Sequence, residues 1–125
     1  QYSQAAVVSE NKILASPASV DSIPVSGNQE DHVSFGTIAA RKAREIIRNT
    51  EAVVAIQLLA TCQAYEFRKP LKASRTFQAI YKLVRSISPA ITEDRAFYKD
   101  IEIMVPLIRT CKVLEAAERT IGKLL

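Results

Sequence analysis

At 125 residues, with 48% hydrophobic and 24% charged side chains, the chain is long enough for one domain with a core and its composition is not that of a disordered segment. The net charge of +4 raises an acidic partner such as nucleic acid, but the Lys and Arg residues are interleaved with acids along helix faces, which argues against a nucleic-acid surface. No apolar run approaches the roughly eighteen residues of a membrane span, and the start lacks a signal peptide's regions, so a cytoplasmic protein without a membrane partner is expected.

Helical spacing begins at once. Ala5, Val8, Ile13 and Leu14 fall near one helix face between Tyr2 and Ala15, and Pro17 should end that helix. A chain that starts at Gln1, already inside an element, reads as a piece of something longer.

From Ser16 to Gln29 the chain carries Pro17, Pro24, Gly27 and Asn28, residues that fix or free φ at turns, with Ser19, Asp21, Ser22 and Ser26 as local hydrogen-bonding side chains. Connections of this length are usually either functional or disordered. On these residues alone an ordered loop and a flexible linker stand level. Five polar residues follow, Asn28, Gln29, Glu30, Asp31 and His32, at the expected junction with the next helix, where unpaired N–H groups and the dipole favour negative charge.

From about Ser34, read as an N-cap, to Arg68 no proline interrupts a run rich in helix formers. Such a helix would be about 50 Å long, against roughly 36 Å for a compact globule of this size. Its first part, Arg41 to Glu51, is charged with one apolar stripe, whereas Ala52 to Tyr65 is apolar nearly all round and should be buried on several sides. Lys69 and Pro70 end it.

Ser74 is placed to cap a further helix with Phe77, Ile80, Tyr81, Val84 and Ile87 on one face, closed by Pro89. Thr92, Glu93 and Asp94 are N-terminal signals for the next, whose stripe is Phe97, Ile101, Met104, Ile108 and Cys111, with Pro106 expected to kink or split it. Leu114, Ala117, Ile121 and Leu125 mark a last amphipathic stretch. No strand pattern is present. The expected class is all-α, a long-helix bundle, organised as one helical region over 1–125 with a loop at 16–33, a long helix at 34–68 and C-terminal helices at 74–125.

Little of this spells chemistry on its own. Cys62 and Cys111 lie in apolar patterns as small hydrophobes, and with the lone His32 they make no zinc-ligand spacing. Gly27 and Gly36 make no phosphate-binding pattern, and Tyr65, Phe67, Phe77, Tyr81, Phe97 and Tyr98 are core candidates before they are a stacking surface. His32 beside Asp31 lacks a motif-placed nucleophile. Glu30 and Asp31, adjacent on a helix, would point about 100° apart and could not share one proton. Without more, they read as an acidic helix start.

The order and spacing of AAVVSENKILASPAS, PASVDSIP and NQEDHVSFGTIAARKAR, however, closely resemble the C-terminal part of the histidine ammonia-lyases, within the aromatic amino acid ammonia-lyase family. The resemblance implies the mainly helical fold of that family and an ordered active-site loop at 16–33. It implies a parent enzyme that eliminates ammonia from L-histidine to give trans-urocanate, as a homo-oligomer, a tetramer whose sites draw on several identical subunits. It assigns Glu30 a catalytic and substrate-binding role, with Gln29 substrate-binding and Asn28 and Asp31 as structural support. Phenylalanine and tyrosine ammonia-lyases typically lack the extra glutamate of this motif, so Glu30 favours histidine. The family's electrophile, a self-made methylideneimidazolone, arises from an Ala-Ser-Gly tripeptide that this chain lacks, Val25-Ser26-Gly27 being the nearest string. The chain alone is therefore expected to be inactive. Its expected partners are the rest of its own lyase chain and other copies; a lyase or aminomutase of different substrate, and a noncatalytic helical assembly module, are the alternatives.

Overall fold

Helical periodicity becomes helix in five segments of a computed structural model that describes residues 1–21, 23–30 and 32–124: α1 (Tyr2–Leu14), α2 (Gly36–Glu66), α3 (Arg75–Ile87), α4 (Tyr98–Arg109) and α5 (Lys112–Ile121). Among the described residues the one β-bridge pairs Val25 with Glu30. The fold is all-α, as the sequence implies. Two compact units are present, Gln1–Thr50 and Glu51–Leu125, and α2 supplies residues to both.

In the second unit the core is built from the expected helical stripes. Ala55 and Cys62 of α2, Val84 of α3 and Met104 of α4 are fully buried, with Leu58, Leu59, Ile80, Ile101 and Ile108 packed against them. On α2 these positions repeat at three and four, and α5 packs on α3 and α4. Tyr65 meets Phe77 and Tyr81 edge to face at ring-centroid distances of 5.2 and 5.1 Å. Phe67 and Tyr98, by contrast, are exposed.

Several boundaries differ from the sequence reading. The 31-residue α2, about 46 Å long at the α-helical rise, starts at Gly36 because Phe35 holds φ +49°, a left-handed conformation that cannot be propagated as helix. Ser34 is thus not the residue before the helix. Along Ala52 to Tyr65, Val54, Gln57, Ala60, Thr61 and Ala64 are exposed, so this chain alone does not wrap the apolar stretch.

The cap at Ser74 forms, its Oγ accepting from Phe77 N–H at 3.2 Å, and α3 ends at Ile87, before Pro89. Helix α4 begins only at Tyr98, leaving Thr92, Glu93 and Asp94 in the preceding loop, and its first-turn acid is Asp100. It continues one turn past Pro106. The break comes at Cys111, exposed and at φ +59°, so this cysteine does not extend the α4 stripe. On α5, Ala117 is buried but Leu114 and Ile121 face solvent; Leu125 lies outside the described residues.

Candidate functional site

The backbone around Asn28 to Glu30 winds through an uncommon conformation. Ser26, Gly27 and Asn28 occupy positive φ in succession, at +56°, +63° and +68°. Glycine reaches this region without a Cβ penalty and asparagine is the next most tolerant; serine is strained there. The winding brings Val25 and Glu30 opposite each other. Val25 N–H donates to Glu30 O at 2.9 Å, Glu30 N–H donates to Val25 O at 3.3 Å, and Gln29 N–H donates to Ser26 O at 3.3 Å.

Glu30 therefore has a tied backbone and an exposed side chain, and Asn28, Gln29 and His32 are exposed as well. Asp31 lies outside the described residues. The polar run is not a helix start, contrary to the sequence reading: six positions separate Glu30 from Gly36, and the first turn of α2 holds no acid. Complementing the helix dipole, an effect confined to the terminal turn, does not account for Glu30.

The other end of the loop is fastened to α2. Lys42 Nζ donates to the carbonyl of Ser16, two residues beyond the end of α1. Two turns further along α2, Asn49 Nδ2 donates to Asn11 Oδ1 at 2.9 Å and approaches Glu10 Oε2 at 3.4 Å. Residues seven apart lie on one helix face, so Lys42 and Asn49 hold α1 and the loop root along one line of α2. A cleft of about 410 Å³ opens here, lined by Leu14, Ile38, Arg41, Lys42 and Glu45. Sequence reading saw Lys42 only as part of a charged face; no local pattern announces a contact to a carbonyl 26 positions away.

The second unit carries two polar clusters that brace the helices. Glu66 receives hydrogen bonds from Lys69 Nζ at 2.6 Å, from the Tyr81 hydroxyl, and from Arg85 Nε at 3.0 Å. Lys69 first, then Tyr81 and Arg85, pull its carboxyl down to about 2, and the same pair raises Lys69. Asp100 accepts from Ser88 Oγ at 2.6 Å and from Arg95 Nη2 at 3.0 Å, and the guanidinium holds its carboxyl below the usual range. Both residues of the Ser88–Asp100 pair are buried and satisfied. Burial pushes the Cys62 thiol up. The described residues contain no group of three or more His, Cys, Asp or Glu able to hold a metal ion.

A family model described as aromatic amino acid lyase matches residues 1–86. The histidine ammonia-lyase of Caldanaerobacter subterraneus subsp. tengcongensis is 54% identical over 115 residues, covering 92% of this chain and 23% of that protein. The crystal structure of histidine ammonia-lyase from Trypanosoma cruzi superposes with a TM-score of 0.86 at 43% identity, covering 92% of this chain and 23% of the other. Tyrosine aminomutase from Streptomyces globisporus gives a TM-score of 0.87 at 34% identity, over 94% of this chain and 22% of the other. The chain thus spans about a quarter of the length of the relatives it matches.

Proposed function

For a chain that belongs to the aromatic amino acid lyase family, we propose that it is part of a histidine ammonia-lyase, an enzyme that eliminates ammonia from L-histidine to give trans-urocanate. The observation that carries the reading is the motif Asn28-Gln29-Glu30-Asp31 in a chain 54% identical to a histidine ammonia-lyase. In this reading the Glu30 carboxylate, presented to solvent from a backbone tied to Val25, holds the substrate or moves a proton during elimination. Gln29 binds the substrate beside it. Asn28 and Asp31 support it.

The electrophile that the family resemblance implies does not fit the residues of this chain. Methylideneimidazolone formation takes Ala-Ser-Gly, and the nearest string, Val25-Ser26-Gly27, lacks the alanine and has both backbone groups of its first residue bonded to Glu30. The group belongs to residues elsewhere in the parent, and this chain's contribution is binding and proton handling. The chain alone is inactive in this reading, and its partners are the remainder of the lyase and identical subunits in a cytoplasmic homo-oligomer.

A second reading, a related enzyme of different substrate, is favoured by the likeness to tyrosine aminomutase. Purified full-length parent, offered histidine, tyrosine and phenylalanine separately, tests both. Release of urocanate from histidine in preference to turnover of the other two supports the first; turnover of tyrosine alone overturns it. Absence of turnover on all three would leave a helical assembly role.

A further inference from the structure

We infer that Lys42 is a positioning residue, the clasp that closes the neck of the loop carrying Glu30. The loop leaves α1 after Leu14 and rejoins helix at Gly36. Its far end is fixed by covalent continuity with α2. Its near end continues from α1, where Ala15 and Ser16 N–H bond back to Asn11 and Ile13 carbonyls, and the Lys42 ammonium, donating to the Ser16 carbonyl, is the contact that ties it directly to α2. Lys42 lies six residues along α2 from Gly36, about 9 Å at the helical rise. Both ends of the loop are thereby held within a short span of one rigid element.

The chemistry suits a clasp. An ammonium has three donors on a flexible stem, and a bond from a charged donor to a carbonyl is stronger than one between neutral groups. The Asn49 contacts to Asn11 and Glu10 keep α1 beside α2 independently. Losing Lys42 should therefore release the loop root without undocking α1. Within the loop the turn from Val25 to Glu30 is closed by its own backbone bonds, and its placement depends on how its stalks are held. A chemical group displaced by about 1 Å from its working geometry can lose on the order of 100-fold in rate.

The kinetic part of this inference rests on the function proposed above; the conformational part does not. The test uses the full-length parent with Lys42→Met, which keeps the stem and removes the donors, and Lys42→Arg, which restores a cationic donor. By amide hydrogen exchange, Lys42→Met should speed exchange within residues 17–30 roughly tenfold, while the amides of α1 and α2 and the melting temperature stay near parental. Its kcat/KM on histidine should fall about tenfold or more, and Lys42→Arg should recover most of both effects. Unchanged exchange over 17–30 in a folded Lys42→Met protein overturns the clasp. So does faster exchange spread equally over α1. If the parent has no activity on histidine while the exchange result holds, the proposed function fails and the clasp stands.

Discussion

Val25 and Glu30 exchange both of their backbone hydrogen bonds, at 2.9 and 3.3 Å, across a turn whose middle is Ser26, Gly27 and Asn28 in left-handed conformations. The position of the Glu30 carboxylate is thus set by backbone torsions more than by side-chain packing, since every described residue from Ile23 to Glu30 is exposed.

That relationship makes Gly27 a sensitive point. A Cβ added there meets nothing within 4 Å, so space is no obstacle to alanine, but φ +63° is. Gly27→Ala should cost the turn about 1 kcal/mol with little change in the melting temperature of the parent, because residues 23–30 are all exposed. Turnover should fall while Asn28, Gln29 and Glu30 remain present. Parental kinetics for Gly27→Ala would show that the turn's geometry does not matter to activity.

Glu30 itself separates catalysis from stability. The residue is exposed and its backbone bonds survive truncation, so Glu30→Ala should alter folding free energy by no more than about 0.5 kcal/mol, the usual range for a surface change. If its carboxylate holds substrate or moves a proton, turnover on histidine should drop about 10²–10⁴-fold. Steady-state kinetics and thermal melting of the full-length variant decide. Near-parental turnover with a lowered melting temperature would make Glu30 structural.

How much of this was legible beforehand varied with the kind of interaction. The stripes Phe77–Ile80–Tyr81–Val84 and Ile101–Met104–Ile108 could be read because burial of a helix face leaves a period in the sequence. The start of α4 could not: Glu93 and Asp94 look like first-turn acids, whereas the acid in place is Asp100, held by Ser88 and Arg95 from the preceding loop. Cys111 fitted the stripe by spacing and left it by one left-handed torsion. At the candidate site Gly27 and Asn28 signalled a turn, but nothing signalled positive φ at Ser26 or Phe35, and Lys42 reaches Ser16 through tertiary structure alone.

Acid should loosen the second unit through Glu66. Its folded carboxyl sits at about 2 against 4.5 for the ordinary group, lowered chiefly by Lys69 and Tyr81. A depressed folded value means the unfolded chain takes up the proton first, so this contribution to stability is intact above pH 4.5 and is lost as the pH falls toward 2. Glu66→Gln should lower stability at neutral pH and flatten the loss between those two values. Far-ultraviolet circular dichroism during urea unfolding at a series of pH values measures it. An equally steep acid limb in the glutamine variant would assign the pH dependence to other groups, Asp100 foremost.

The apolar surface left open on each unit bears on assembly. Helix α1 buries none of its residues, with Tyr2 and Ile13 89% and 74% exposed. In the second unit an apolar groove of about 440 Å³ is lined by Val54, Leu58, Ile80, Ile108, Cys111 and Leu114. Large apolar side chains stand exposed on both units, Tyr2 and Ile13 on one and Val54 and Leu114 on the other, and apolar surface left open in this way is where protein contacts form, so the isolated chain should self-associate. Val54→Glu and Leu114→Glu place charges on that groove at positions 40% and 41% exposed, where the carboxylates can reach solvent. Light scattering of the isolated chain should therefore show species larger than a monomer, and the double variant should shift them toward the monomer while keeping its helix content. A folded monomer of the unaltered chain at high concentration would contradict the prediction. Association unchanged in the double variant would move the contact away from the groove and toward α1, whose Tyr2, Val8 and Ile13 are the next residues to charge.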